Sequence, residues 1–142
     1  VEVAALHTQI YQAGRTCDWA ALADLLDSAT FSYSFGESGD PIGYWRRAEF
    51  LHYRPMYYLA GVLQRPFGIF EGPTAPVAYA WPSAHTYGSW DQVPAAAREA
   101  LLPLYDDMDL IAFEEFGGYL GFRVAITADG GRALWVYAIE GD

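Results

Sequence analysis

Tyr119–Asp142, YLGFRVAITADGGRALWVYAIEGD, decides the fold class, because it reads as a β-hairpin with two unlike faces. Leu120, Phe122, Val124 and Ile126 alternate with Tyr119, Gly121, Arg123, Ala125 and Thr127, and side chains two apart share one face of a strand. The first set is a core face. The second sets a guanidinium among residues too small to fill space, which predicts a cavity or a polar contact surface. Asp129, Gly130 and Gly131 supply the positive φ values of a turn, so the strands are expected at 119–127 and 132–139. Two registers are open. A four-residue turn, Ala128–Gly131, sets Arg123 against Val136 on a roomy side shared with Gly121, Ala125, Ala138 and Glu140. A three-residue turn sets it against Tyr137, flanked by Trp135 and Ile139, with the guanidinium stacked on an aromatic ring. In the first register Arg123→Ala is expected to weaken anion binding at little cost in stability.

Working back towards the N-terminus, Val3, Leu6, Ile10 and Ala13 recur at helical spacing and Gly14 ends a helix over 2–14. Asp18 caps a second helix over 18–27 with Trp19, Leu22, Leu25 and Leu26 as its apolar stripe. Phe31, Tyr33 and Phe35 then alternate with Ser32 and Ser34, a short strand with one buried face. Asp40 followed by Pro41 starts a helix to about Tyr53, and 56–64 forms another before Pro66. Short strands are expected at 68–70 and 77–81, the latter stopped by Pro82. Asp91 and Pro94 open a helix over 95–102, and Leu110–Phe116 is either a strand or a helical turn. With no repeat or linker, residues 1–142 read as one α+β domain with a helical insertion in the middle.

The composition excludes several classes. Hydrophobic residues make up 53% of the chain and charged residues 18%, which is incompatible with global disorder. The net charge is −10, and all eight basic residues are arginine without a basic stripe. Nucleic acid and anionic membranes are therefore not expected partners. That arginine usage fits a GC-rich bacterial genome. Cys17 is the single cysteine, so no internal disulfide forms. No metal-ligand spacing, nucleotide fingerprint or nucleophile elbow occurs, so neither metal nor cofactor is expected. The acidic trio Asp106, Asp107 and Asp109 lacks the glycine and terminal glutamate of a calcium loop. The sequence leaves the location open between cytoplasmic and, if a signal peptide was removed before Val1, periplasmic or secreted.

Tyr11-Gln12-Ala13-Gly14, the run Asp18–Leu26, Ala29-Thr30-Phe31 and the late Asp129-Gly130…Trp135-Val136 hairpin together resemble the NTF2-like α+β cone superfamily, which includes ketosteroid-isomerase-like proteins. The resemblance covers the first 40 and last 25 residues; 82–110 departs from it. It implies a curved antiparallel sheet packed against N-terminal helices, with a pocket between sheet and helices. In its isomerase-like members a tyrosine of the first helix works with a carboxylate just after the first strand. Tyr11 fits the first role, but the nearest carboxylate is Glu37, inside a glycine-bounded loop.

Three functional readings follow. The first is a pocket for a small apolar or anionic molecule, binding or weakly catalytic, anchored by Arg123, helped by Tyr11 and His85 and lined by Tyr33 and Trp135. The second is a non-catalytic homodimerisation module whose aromatic hairpin faces pair with a second copy. The third is an isomerase- or hydratase-like enzyme using an acid/base pair, for which His7 and Tyr11, one helical turn apart, are a candidate. His52, near a helix end, is read as structural.

Overall fold

The computed structural model describes residues 2–27, 29–34, 39–73 and 75–141, so Phe35 and Glu37 lie outside the described residues. Helix α1 (Val3–Arg15) buries Leu6, Ile10 and Ala13 along one stripe. Helix α2 (Trp19–Leu25) starts where Asp18 accepts a hydrogen bond from the Ala21 N–H at 3.1 Å, and ends two residues before the expected limit because Leu26 is extended. Asp40 likewise caps α3 (Pro41–Phe50) through the Ile42 N–H. The chain reverses through His52 and Arg54, both with positive φ, into α4 (Pro55–Leu63). Strands β1 (Gly68–Phe70) and β2 (Val77–Trp81) follow, and the peptide bond from Trp81 to Pro82 is cis.

Between β2 and the C-terminal hairpin lies the helical insertion. It holds single 3-10 turns at Ser83–Thr86 and Trp90–Gln92, then α5 (Ala95–Glu99) and α6 (Asp107–Phe116). Asp91 sits inside the second 3-10 turn and caps nothing; Pro94 occupies the cap of α5, which stops short of Leu102. Leu110–Phe116 is helical. Two of the acidic trio cap this helix: Asp106 accepts from the Asp109 N–H at 2.9 Å while Asp109 accepts from the Asp106 N–H at 3.0 Å, and Asp107 lies in the first turn of α6. The insertion closes around its own small core of Trp90, Val93, Leu101, Tyr105, Phe113 and Tyr119.

Strands β3 (Arg123–Asp129) and β4 (Arg132–Ile139) complete a curved, open antiparallel sheet in the order β1-β2-β3-β4. Gly130 (φ 59°) and Gly131 (φ 79°) form the two-residue turn, as the twist of a hairpin favours. Neither expected register holds. The ladder begins with Asp129 opposite Arg132 and slips once, so that Ile126 faces Trp135 while Ala125 faces Tyr137, and Arg123 lies opposite Ile139. Val136 is the extra residue of this bulge. Its carbonyl accepts from the Ser32 N–H at 3.0 Å, and the Trp135 indole donates to the Tyr137 carbonyl at 3.1 Å. Ser32 pairs in parallel with Tyr137, which docks the 31–33 segment beside β4. Phe31 and Tyr33 turn into the core, in the expected alternation with Ser32 and Ser34.

The main core fills the space between helices and sheet. Ile10 and Leu22 join Leu59 and Val62 above Val124, Ile126, Trp135 and Ala138, all fully or almost fully buried. Trp45 stacks on Trp135 at 5.9 Å, and Phe31 meets the Trp135 ring edge-on at 4.7 Å. Trp135 is therefore a fully buried core residue and lines neither of the clefts described below. The opposite sheet face carries Ala80, Ala125, Arg123, Tyr137 and Ile139. At Gly121 the rings of Tyr119 and Tyr105 occupy the space a side chain would take, and the room on this face lies beside Arg123, Tyr137 and Ile139 instead. Among the described residues, the exposed large hydrophobic side chains all lie outside the hairpin. No helix among the described residues is long and apolar enough to cross a membrane.

Candidate functional site

Arg123 opens β3 on the sheet face away from the helices, where it is 7% exposed. The chain on either side of the strand pair supplies its acceptors: Nη1 donates to the Gly121 carbonyl at 3.1 Å and Nη2 to the Gly141 carbonyl. Burial lowers the guanidinium pKa, opposed by Tyr137, Tyr119, Glu140 and Tyr105, and a guanidinium so placed remains a cation at neutral pH. Arg123 lines a cleft of about 480 Å³ with Ser32, Ser34, His85, Tyr137 and Ile139.

His85 reaches this cleft from the 3-10 turn after β2, and its Nε2 lies 2.6 Å from the Tyr137 hydroxyl. Burial, and secondarily the charge of Arg123, pushes His85 down to about 4. Burial raises the Tyr137 phenol, with Arg123 opposing. At neutral pH the phenol keeps its proton and the imidazole is uncharged, so a single hydrogen bond joins them whose donor is set by the tautomer of His85. The cleft floor is one fixed cation, a neutral phenol–imidazole pair and two serines. Phe70 meets the His85 ring edge-on at 5.3 Å and completes its packing.

This arrangement makes stability depend on pH. His85 titrates near 4 in the folded chain and near 6.5 when exposed, so between those values the unfolded chain binds the extra proton. Its contribution is complete above about pH 6.5 and is lost as pH falls towards 4, an effect on the order of 3 kcal/mol. Urea unfolding at pH 7.5 and pH 4.5 is expected to show a smaller acid-side loss in His85→Gln than in the parent. Parallel losses would mean that His85 is not held neutral.

A second cleft, of about 520 Å³, is aromatic: Tyr33, Tyr44, Tyr58 and Phe122 line it with His52 and Glu140. Ser34 lines both clefts. Glu140 is exposed at the rim, yet the protein atoms crowding its carboxyl raise its pKa, with Arg123 pulling the other way. The structure thus brings Arg123 and His85 together and puts Tyr33 in the adjoining cleft. Tyr11 belongs to a different surface, where its hydroxyl accepts from Gln64 Nε2 at 2.8 Å. His7 is not its partner: the imidazole Nε2 lies 2.7 Å from the Leu63 carbonyl and so must be the donor. Among the described residues no group of three metal-ligating side chains gathers.

Ser32, Ser34, Tyr137 and Ile139 were not among the expected site residues. The serines were legible in principle, since they alternate with the buried Phe31 and Tyr33 and must face the other way. Tyr137 and Ile139 are expected beside Arg123 only in the three-residue-turn register, and there as structural neighbours; the bulge that sets their direction carries no sequence signal. No family model, curated protein or solved structure matches this chain.

Proposed function

We propose that this chain is a binding domain for a small anion with an apolar body, whose acidic group is held in the cleft of Arg123. The observation that carries this reading is the buried guanidinium beside two serines and a neutral His85–Tyr137 pair. A carboxylate, sulfonate or phosphate gains charge-assisted hydrogen bonds from such a set of donors. The aromatic cleft that shares Ser34 offers a surface for the apolar part. Binding is favoured over turnover because a histidine titrating near 4 is a weak base, whereas proton transfer is fastest from groups titrating near the working pH. The NTF2-like cone is retained as the fold-family reading; two N-terminal helices followed by an extended segment docked beside the last hairpin support it.

Titrating the labelled chain with benzoate, and with benzyl alcohol as the uncharged control, tests the reading by amide and side-chain chemical shifts. Benzoate is expected to move the signals of Ser32, Ser34, His85 and Tyr137 saturably, and benzyl alcohol to do so much less. Equal shifts with both compounds would remove the anion-binding reading.

A homodimer is a second reading, and its support lies on edge strand β1 and no longer on the hairpin. Phe67 just before this strand and Ile69 and Phe70 on it are 50%, 45% and 38% exposed, and an isologous contact would pair this edge with its own copy. Light scattering is expected to give twice the chain mass at micromolar concentration, falling to the chain mass in Ile69→Lys. A parent already at the chain mass would end this reading.

A further inference from the structure

A groove of about 510 Å³ on the helical side of the molecule shares no lining residue with either cleft described above. Its walls carry Arg15, Arg54 and Arg65, three of only eight basic residues in a chain with eighteen acidic ones. Two of these guanidinia are fixed by neutral partners. Arg54 lies over the Tyr57 ring, 4.1 Å from its centroid, and Arg65 donates to the Gly61 and Ala100 carbonyls at 3.3 Å each. Glu49 on the same wall spends one carboxylate oxygen accepting from the Met56 N–H at 2.9 Å. The groove keeps an excess of positive charge in a protein whose overall charge is strongly negative.

The floor between these charges is apolar. Met56 is almost completely buried beneath it, Ala60 adds a methyl group, and Leu104 packs close against Gly61, where a side chain would collide with it. A cationic rim over an apolar floor selects a molecule with both characters. Inorganic ions would leave the floor bare, and a neutral apolar molecule would gain nothing from the arginines.

We infer that this groove is a second binding site, for an organic anion that lays an aromatic or alkyl body on Met56, Ala60 and Leu104 and presents a carboxylate, sulfonate or phosphate to Arg15 and Arg54. The stacking of Arg54 and the backbone anchoring of Arg65 hold those guanidinia in place before binding, which lowers the ordering cost of capturing the ligand. The site stands independently of the Arg123 cleft.

Cys17 lines the same groove and is the only cysteine, so its thiol reports on the site. Burial, and then Glu49, raise its pKa, so a neutral disulfide reagent is expected to react with it slowly. The test compares the rates at which Cys17 reacts with the dianionic 5,5′-dithiobis(2-nitrobenzoate) and with neutral 4,4′-dithiodipyridine. The anionic-to-neutral rate ratio is expected to fall at least about tenfold in Arg15→Gln/Arg54→Gln, because the groove then loses two of its three cations and keeps Glu49. Phenyl phosphate is expected to slow the neutral reagent in the parent and equally in Arg123→Met, whose other cleft is disabled. An unchanged ratio in a folded double variant would overturn the proposal. So would phenyl phosphate that shifts the His85 and Tyr137 signals but leaves Cys17 unprotected, since anion binding would then belong to the Arg123 cleft alone.

Discussion

Gly121→Ala is expected to lower the melting temperature by on the order of 10 °C, corresponding to a loss of roughly 3 to 4 kcal/mol. A β-carbon there would lie 2.6 Å from Cζ of Tyr119 and 2.7 Å from Cζ of Tyr105, and neither ring has room to retreat. Tyr105 is stacked on Tyr58 at 5.4 Å and meets Phe113 at 5.5 Å, and Tyr119 meets Phe113 at 5.1 Å. Their hydroxyls also hold Phe122 at both ends: Tyr119 donates to its carbonyl at 2.6 Å, and Tyr105 accepts from its N–H at 2.8 Å. Overpacking of about 1–3 kcal/mol therefore comes with buried backbone groups left unsatisfied, at about 1–3 kcal/mol. Because the Gly121 carbonyl is also an acceptor of Arg123, benzoate binding should weaken together with stability. Gly72→Ala is the control, since its new methyl would meet nothing nearer than the Ala75 β-carbon at 3.9 Å. Equal melting temperatures for both variants would show that the tyrosine pair yields easily.

Arg123→Met is expected to lose benzoate binding by at least about tenfold and to cost about 1–3 kcal/mol of stability. A nearly free substitution is the expectation of the four-residue-turn register, which leaves the guanidinium to a ligand or an acidic partner, and that register does not form. In the observed register the guanidinium is a donor to two carbonyls, and the Gly121 carbonyl belongs to a residue that is itself buried. Arg123→Lys should retain more of the affinity than Met, because it keeps the charge, but less of the stability than the parent, because an ammonium cannot reproduce the planar fork. Fluorescence or calorimetric titration with benzoate, run beside thermal unfolding of the three proteins, separates the two roles. Unchanged benzoate affinity in Arg123→Met with a large fall in melting temperature would make Arg123 a purely structural residue.

Local chemistry announced most of the elements. Asp18 and Asp40 cap the helices they were expected to cap, the alternation of Phe31 and Tyr33 with Ser32 and Ser34 marks an extended segment with one buried side, and Gly130-Gly131 is the hairpin turn. What stayed hidden depends on partners distant in the chain. Gly121 reads as empty space until Tyr105, sixteen residues earlier, is known to fill it. His85 and Tyr137 carry no spacing that would connect them. Val136 is as good a strand former as Trp135 and Tyr137, so no residue type betrays the slip that reverses which way the following side chains point.

That slip has a consequence for how this strand tolerates changes of length. A pleat is read in twos, and β4 is read in one phase up to Trp135 and in the other from Tyr137 onward. A chain lacking Val136 would carry the same side chains to the same faces through an unbroken ladder, giving up only the carbonyl that receives the Ser32 N–H. Losing Ala133 instead would turn Trp135 out of the core, and losing Ala138 would turn Ile139 into it. Deletion in this strand is silent at one step and disruptive on either side, so any natural shortening of the hairpin is expected at position 136.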